Sequence, residues 1–266
     1  MGSAGQRHLR NLKRLTGNDV ELFALRKSRH NRVIVDGDAE ECTSLENYYG
    51  LRSFTDLTEA LASAPDVVFV TNPSSKHMQV ALAAAHTGSD LFIEKPLSHS
   101  SEGTEDLRRT AARKGLVTMV AFQSRFHPLY AELKAALTGD PYGKVLSAQL
   151  RWGTFLPHHH SYEDYRTSYA ARRDLGGGVV LVLIHELDLI CSFWGLPTEV
   201  HSVLANSAEL EMDVEDTAST LMTFGHQGHI FPVYLHLSYA QVNEERNIII
   251  QFERATLYGD WTNQTV

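Results

Sequence analysis

The sequence predicts a two-domain α/β protein: a parallel sheet covered by helices, followed by an α+β domain with a largely antiparallel sheet. Two observations predict this. In the first part of the chain, short apolar runs alternate with helical segments of about 10–15 residues, which is typical of parallel strands joined by helices. Beyond residue 122, longer alternating runs replace them, which is typical of an antiparallel sheet. We therefore place the domains at 1–122 and 123–266.

The elements of the first domain follow from apolar spacing and from residues that begin or end helices. Threonine is a common helix cap, and glycine or proline commonly ends a helix or strand. The predicted elements, in chain order, are a helix after Gly5, a strand near 20–25, a helix capped by Thr55, a strand at 66–71, a helix ending at Gly88, a strand closed by Pro96, a helix ending at Gly115 and a strand over "LVTMVAF".

The second domain contains one strongly apolar segment, "GGGVVLVLIHELDLICSFWG", which predicts a single long helix at 176–194. His185, Glu186 and Asp188 interrupt it, so we expect a buried helix and not a membrane span. The β-rich runs around it are "KVLSAQLRWGTF", "EVHSVLANSA", "TASTLMTFG", "HIFPVYLHLSYA" and "RNIIIQFERATLYGD".

Composition limits the classes of partner. The 266 residues are 43% hydrophobic and 21% charged, with a formal net charge of −8. This acidic balance argues against a broad nucleic-acid or anionic-membrane surface, so we expect neither partner. Cys42 and Cys191 form no C-x-x-C pair, and no apolar leader opens the chain, which together favour a cytoplasmic protein with reduced thiols.

The opening "MGSAGQRHLRNLKRL" runs from a glycine-rich turn directly into a helical pattern. Its glycine spacing matches the back half of the G-x-G-x-x-G loop of Rossmann-like dinucleotide-binding domains. Free N–H groups at such a helix start suit a pyrophosphate, which makes Gly2, Ser3, Ala4 and Gly5 candidate cofactor ligands. The first glycine and the strand before it have no counterpart here. A cloning scar over "MGS" or a flexible N-terminal tail is the alternative interpretation.

Three stretches, taken together, resemble the Gfo/Idh/MocA family, named for glucose–fructose oxidoreductase and inositol dehydrogenase. They are "TNPSSKHMQVALAAAHTGSDLFIEKPLS", "QSRFHPLY" and "GGGVVLVLIHELDLICSFWG". The resemblance covers nearly the whole chain. It implies NAD(P)-dependent oxidation or reduction of a hydroxyl or ketone on a sugar, sugar derivative or cyclitol. It also implies that the chain lacks the first strand and the C-terminal end of family members, and that a second copy pairs through the C-terminal sheet.

The cofactor residues are predicted at strand ends, where ligands bind in open α/β sheets. The second strand ends without the carboxylate that would bind the ribose of NAD. Cations and a hydroxyl stand there instead, which favours NADP over NAD unless the segment is an ordinary solvated loop; these residues are Arg26, Lys27, Ser28 and Arg29. The resemblance adds two further turns to the cofactor site, namely Thr71, Asn72, Pro73, Ser74 and His77, and Glu94, Lys95 and Pro96.

The resemblance implies that Lys95 and His185 handle the proton. A lysine beside a cationic nicotinamide ring has a lowered pKa and exchanges protons with a substrate hydroxyl. His185 matches the inward histidine of the family, and Asp188 lies one helical turn further on the same face. The family commonly carries an aspartate where this chain has Val182, so Asp188 is the third catalytic candidate.

Substrate contacts are predicted from polar residues of the second domain. "FLPHHHSYEDYR" contains three adjacent histidines, but neighbouring residues point apart, and no further ligands are spaced for zinc. We expect a polar sugar-binding loop and no metal. Candidate substrate contacts are His158, Tyr165, Arg125, Arg173 and His185, although both arginines are equally compatible with an ordinary surface role. The rival hypothesis is a non-catalytic remnant that acts as a nucleotide- or sugar-binding or scaffold protein.

Overall fold

The computed structural model describes the chain except for residues 18, 28–30, 36, 161 and 227. It divides into two compact units. Unit 1 comprises Met1–Ala121 and His160–Asp164. Unit 2 comprises Phe122–His159 and Tyr165–Val266. Residues His160–Asp164 thus belong to unit 1, although they follow the predicted boundary in the sequence.

Unit 1 is a series of alternating helices and strands. Its helices are α1 (Ser3–Thr16), α2 (Leu45–Tyr49), α3 (Leu57–Ala62), α4 (His77–Thr87) and α5 (Thr104–Lys114). Its strands are β1 (Phe23–Leu25), β2 (Arg32–Val35), β3 (Asp38–Glu41), β4 (Arg52–Phe54), β5 (Val67–Val70), β6 (Asp90–Ile93) and β7 (Thr118–Val120). The predicted α/β alternation is confirmed, whereas α2, β4 and the β2–β3 hairpin were not predicted.

Parallel pairing in unit 1 occurs in two separate groups of strands. β1 pairs with β4, and β5, β6 and β7 form a second sheet in that order. Among the described residues, no strand joins β1 to β5 by hydrogen bonds. Because β5 and β6 run parallel, their carboxyl ends meet at one edge. The turns that follow them, at Thr71 and at Glu94, are therefore neighbours.

Helix α3 begins one residue later than predicted. The carboxylate of Asp56 accepts a hydrogen bond from the Glu59 N–H at 3.0 Å, so Asp56 is the N-cap and Thr55 is not. Asp is a stronger cap than Thr, because its carboxylate also interacts favourably with the positive end of the helix dipole. The helices cover a buried apolar cluster formed by Leu61, Val70, Ala81, Ala84, Ala85, Leu91, Ile93 and Leu107.

Unit 2 is built on a six-stranded sheet. Its strands are β8 (Val145–Phe155), β9 (Glu199–Ala205), β10 (Thr217–His226), β11 (His229–Ser238), β12 (Ala240–Phe252) and β13 (Thr256–Asp260), and its helices are α6 (Pro128–Ala136), α7 (Val179–Val182) and α8 (His185–Trp194). The strand order is β13-β12-β8-β11-β10-β9. Only the β8–β11 pair is parallel, which confirms the predicted, largely antiparallel sheet.

The predicted single helix at 176–194 is wrong. The helical segment that ends with α7, Arg173–Val182, meets α8, His185–Trp194, at an angle of 52°. Three of the four residues of α7 are valine, and β-branched side chains crowd the preceding helical turn, which weakens continuous helix formation. No single described helix has the length and apolar composition needed to cross a membrane; this bent pair passes that test only when both halves are combined.

Two glycines permit the close packing that precedes α7. A Cβ atom on Gly177 would lie 2.3 Å from the carbonyl oxygen of Tyr169. Gly178 has a φ of +108°, and a Cβ atom there would lie 2.3 Å from a carboxylate oxygen of Glu215. This packing places α7 and the start of α8 on the buried face of the sheet, against Leu150, Phe224, Val233, Leu237, Ile248 and Ile250.

Asp216 is a fully buried carboxylate just before β10. Its oxygens accept hydrogen bonds from the backbone N–H groups of Ser207 and Ala208, at 3.0 Å and 2.7 Å, and from the Ser207 hydroxyl at 3.1 Å. Burial by itself would raise the pKa of Asp216, but these hydrogen bonds outweigh it and hold the pKa below its usual value.

Replacing Asp216 by asparagine is expected to lower the free energy of unfolding by about 1.5–3 kcal/mol at pH 7, because hydrogen bonds to a charged acceptor are lost. The folded-state pKa lies below the unfolded one. The contribution is therefore present above about pH 4 and is lost as pH falls through the folded-state pKa. Denaturant unfolding at several pH values should show the difference shrinking towards pH 3. Asp140→Asn, at an exposed position, is the matched control; a difference independent of pH would contradict the assignment.

Candidate active site

The start of α1 has the features of an anion-binding helix terminus. Gly2 is the N-cap, with no side-chain capping bond, and the first turn has no acidic residue. A Cβ atom on Gly5 would lie 2.9 Å from the Thr71 hydroxyl oxygen, so a glycine allows α1 to pack closely against the turn after β5. The first helical N–H groups have no intrahelical acceptors. The predicted segment Gly2–Gly5 therefore fits a pyrophosphate.

The turn after β5 contains buried polar atoms. Among the described residues, Asn72 Oδ1 and Ser75 Oγ are buried without a hydrogen-bond partner. Buried polar atoms are nearly always paired, and exceptions indicate a ligand or water. The predicted turn Thr71, Asn72, Pro73 and Ser74 therefore fits a polar cofactor lying along the sheet edge.

His77 is a buried residue that links the turn after β5 to the turn after β6. It is 1% exposed, and its Nδ1 and Nε2 lie 2.8 Å from the carbonyl oxygens of Pro96 and Asn72, respectively. A neutral imidazole has one N–H and donates to one carbonyl at a time. Burial lowers the pKa of His77, and the two carbonyls oppose that shift. The structure thus places His77 as a link between the two turns, and its predicted contact with the cofactor stays a prediction.

The turn after β6 is held by Glu94. One oxygen of its buried carboxylate lies 2.6 Å from His8 Nε2 and accepts from Arg7 at 3.5 Å; the other accepts from the Lys95 N–H at 3.2 Å. Burial would raise the pKa of Glu94, but the bond from His8 and the charges of His8, Arg7 and Lys95 hold it below its usual value. Glu94 thus anchors the Lys95 backbone to α1, and its predicted contact with the cofactor stays a prediction. The Lys95–Pro96 peptide bond is cis.

Arg26 does not present the free cation that was predicted for a 2′-phosphate. It is 7% exposed, and its guanidinium forms an ion pair with Glu46 and a hydrogen bond with Asn31. Hydrogen bonds, first from Ser44 and also from Arg26, lower the pKa of Glu46 to about 2. Ser28 and Arg29 lie outside the described residues. Lys27 is exposed, and any preference for NADP at the described part of this strand end rests on it.

Lys27→Ala is expected to weaken NADP binding by about tenfold and to leave NAD binding unchanged, since one charge-assisted contact contributes about 1.5 kcal/mol. The measurement is the dissociation constant of each cofactor, with Lys114→Ala at an exposed helix end as the control. Equal losses for both cofactors, or none for either, would remove Lys27 from phosphate recognition.

In unit 2, His185 opens α8 and is 2% exposed. Its Nε2 lies 3.3 Å from the side-chain amide nitrogen of Gln123, whose oxygen and nitrogen exchange places on a 180° rotation. The ring also lies 6.1 Å from Phe122 and 6.0 Å from Trp152, measured between ring centroids. The predicted catalytic histidine is therefore a buried imidazole with a polar neighbour and an aromatic surround.

Asp188 and Arg125 were predicted for separate roles, and the structure pairs them with each other. The Arg125 guanidinium donates to both oxygens of Asp188, at 2.7 Å and 2.6 Å, and this hydrogen bonding raises the Arg125 pKa. Both carboxylate oxygens are thus used in a bidentate pair. Val182, where the resemblance implies an aspartate, lies in the apolar core. The expectation that Asp188 assists His185 directly loses its geometric basis.

The other predicted substrate residues each have a partner within unit 2. The Tyr165 hydroxyl accepts from the Glu211 N–H at 3.1 Å. Arg173 is exposed and donates to the Asp213 carbonyl at 2.7 Å. His158 is exposed, with its ring 4.8 Å from Phe155. None of the three belongs to the contacts of His185 described above.

The sequence did not predict a cluster of interacting residues that lies beside His185. Arg246 donates through Nε to a Glu186 carboxylate oxygen at 2.6 Å and through Nη2 to the Ser124 hydroxyl at 3.0 Å. Its guanidinium lies over the ring of Trp152, at 4.2 Å, and over that of Trp261, at 5.0 Å, measured to the ring centroids. Glu186, a carboxylate within an apolar run, was an available signal of a buried ion pair. Arg246 gave no such signal, because it stands in the polar run "NEERN" of β12, where an arginine is ordinary.

A glycine-started helix and polar strand-end turns define a dinucleotide-binding protein of the Rossmann class, followed by an α+β domain. Residues 1–122 match the oxidoreductase family described as having an NAD-binding Rossmann fold. Residues 130–259 match the GFO/IDH/MocA C-terminal domain. The chain belongs to the Gfo/Idh/MocA family of oxidoreductases.

Curated relatives include levoglucosan dehydrogenase of Pseudarthrobacter phenanthrenivorans, 26% identical over 65% of this chain and 45% of that protein. Trans-1,2-dihydrobenzene-1,2-diol dehydrogenase of Xenopus tropicalis is 29% identical over 61% of this chain and 48% of that one. The chain thus spans about half the length of these relatives. The WlbA dehydrogenase of Bordetella pertussis, solved with NADH and UDP-GlcNAcA, shares the fold with a TM-score of 0.72 at 20% identity, covering 81% of this chain and 61% of that one.

Proposed function

We propose that this protein is an NAD(P)-dependent oxidoreductase that interconverts a hydroxyl and a ketone on a sugar, sugar derivative or cyclitol. One observation carries the proposal. Lys95 follows β6 in a turn that Glu94 and His77 hold beside the polar turn after β5. Family membership supports the reaction class, and the two relatives are dehydrogenases of cyclic alcohols by name.

The cofactor would be held by backbone and polar side-chain groups of unit 1. The N–H groups at the start of α1 would bind the pyrophosphate, and Asn72 Oδ1 and Ser75 Oγ would gain hydrogen-bond partners that the described residues do not give them. Lys27 would favour NADP over NAD. When bound, the nicotinamide ring supplies the hydride acceptor for oxidation or the donor for reduction.

The protein's own contribution is proton handling and orientation. In oxidation, the neutral Lys95 amine would accept the proton from the oxygen of the substrate hydroxyl while a hydride leaves the carbon that bears this hydroxyl; in reduction, the Lys95 ammonium would return that proton to the oxygen. His185 is the second proton-exchanging group, and a histidine is suited to this near neutral pH. Asp188 would act by holding Arg125 at the first turn of α8. His158, Tyr165 and Arg173 would contact substrate only after exchanging their present partners.

The test combines cofactor titration with a dehydrogenase assay on a panel of sugars and cyclitols. We expect NAD or NADP to bind and at least one compound to be oxidised, with the reduced cofactor followed by its absorbance. Cofactor binding without turnover on any compound would favour the rival hypothesis of a non-catalytic binding protein. Absence of cofactor binding would overturn the proposal.

We further propose that a second copy of the chain covers the open face of the unit 2 sheet. Five apolar side chains on this face are each between 40% and 71% exposed, namely Val203, Leu221, Ile230, Tyr234 and Tyr258. Burial of such a patch favours association.

Leu221→Glu is expected to convert the dimer to a monomer, because it places a charge in the buried patch. The measurement is the molar mass in solution by light scattering. Val117→Glu, at an exposed position in unit 1, is the control and should leave the dimer intact. A monomeric wild-type protein would contradict this.

A further inference from the structure

The ion pair between Glu186 and Arg246 lies within unit 2 with little access to water. The side chains are 2% and 15% exposed, respectively, and the Nε–Oε1 distance is 2.6 Å. Taking two charges out of water is costly, so a buried ion pair often adds little to the free energy of unfolding. Its role is better explained as fixing the positions of the groups around it. The function proposed above assigns these two residues no role.

Arg246 is also part of an aromatic stack that reaches His185. The guanidinium lies over the Trp152 ring at 4.2 Å and over the Trp261 ring at 5.0 Å, measured to the ring centroids. The Trp152 and His185 rings are 6.0 Å apart, inclined at 39°. A planar cation over indole is among the more favourable cation–π arrangements, and more so when water is excluded. Arg246 therefore restrains the indole that neighbours the imidazole.

Two neighbouring pairs of residues connect this cluster to His185. Glu186 directly follows His185 in the first turn of α8, so the bond from Arg246 to Glu186 restrains rotation of that turn. Gln123 and Ser124 are also consecutive: Gln123 lies 3.3 Å from the imidazole, and Ser124 accepts from Arg246 at 3.0 Å. The same guanidinium thus restrains both segments that contact His185.

We propose that Arg246, acting through Glu186, Ser124 and Trp152, is a positioning residue that sets the orientation of the His185 imidazole. The inference rests on the proposed function, in which His185 exchanges a proton with substrate. Lysine cannot replace this arginine, because an ammonium group lacks the planar fork that bonds Glu186 and Ser124 while stacking on Trp152.

The test is Arg246→Lys, which keeps the positive charge beside Glu186. We expect kcat to fall by about 10–100-fold with KM little changed, the range expected for a displacement of about 1 Å at a reacting group. Nitrogen-15 NMR of the histidine side chains gives a readout independent of activity. The His185 resonances should shift or broaden, and those of His77 in unit 1 should not.

Arg151→Lys is the matched control, because Arg151 is an exposed arginine of the same sheet that pairs with Glu245 at 3.5 Å. It should leave both readouts unchanged. A folded Arg246→Lys protein with wild-type His185 resonances would overturn the inference. If Arg246→Lys does not fold, Glu186→Gln is tested in its place. This substitution keeps an oxygen acceptor for Arg246 but removes the charge, and the His185 resonances should again shift or broaden. A wild-type protein without turnover contradicts the proposed function, whereas the NMR result still decides the positioning role.

Discussion

Replacing Lys95 by methionine is expected to reduce turnover by about 10²–10⁴-fold, the usual contribution of a general acid–base group, with cofactor affinity nearly unchanged. Methionine keeps the length of the side chain and removes its exchangeable proton. The turn itself is held by the Glu94 carboxylate, the Lys95 backbone N–H and the Pro96 carbonyl, none of which the substitution removes. The pyrophosphate is assigned to backbone groups of α1, which are equally unaffected.

The measurement is steady-state kinetics on the best compound of the sugar and cyclitol panel, beside a titration of the cofactor. Lys114→Met, at the exposed end of α5, is the matched control and should behave like the wild type. Unchanged turnover in Lys95→Met would remove Lys95 from the mechanism. Joint loss of turnover and cofactor binding would instead indicate that Lys95 contacts the cofactor, and the acid–base role would pass to His185.

Replacing His185 by glutamine is expected to reduce turnover by about 10²–10⁴-fold, as for Lys95→Met. It is also expected to change the pH dependence of turnover. Glutamine retains a side chain that hydrogen-bonds Gln123 but does not titrate. The limb of the pH–rate profile that is due to His185 should therefore disappear. Because His185 is buried beside Trp152 and Phe122, a smaller residue would also leave a cavity, which is why alanine is the poorer test.

The control is His86→Gln at the exposed end of α4, and its pH profile should match the wild type. Circular dichroism and thermal unfolding of both variants establish that the fold is retained. A His185→Gln enzyme that keeps the full pH profile with unchanged turnover would show that the histidine is structural. Lower turnover with an unaltered profile would indicate a binding contribution without proton transfer.

Much of the fold was predictable because it depends on short-range patterns. The alternation of apolar runs and helical segments in unit 1 is a local property, and so are the glycines that end α4 and α5. Alternation over 145–260 likewise predicted the strands of unit 2. The hairpin of β2 and β3 and the five-residue helix α2 were missed, since elements so short contain too few repeats to show a period.

The roles of charged residues were predicted less well. Arg26 was interpreted as an open cation, but Glu46, 20 residues further along the chain, pairs with it. Asp188 was assigned to His185, but Arg125, 63 residues away, occupies both of its oxygens. His77 was predicted to contact the cofactor, and both of its ring nitrogens lie within hydrogen-bonding distance of backbone carbonyls. For Arg26 and Asp188, the ion-pair partner is absent from the neighbouring sequence.

The sequence by itself determined the order and type of most elements, the glycine-started first helix, and Lys95 and His185 as candidates for proton transfer. The elements depend on spacing along the chain, whereas the two candidates for proton transfer follow from the resemblance of three sequence stretches to a known family. Only the tertiary structure decided which charges are paired and which side chains support the site, as with Arg246, which lies 60 residues from Glu186 and 122 from Ser124. The physical reason is that burial and electrostatic pairing depend on distances through space, and a sequence pattern reports only distances along the chain.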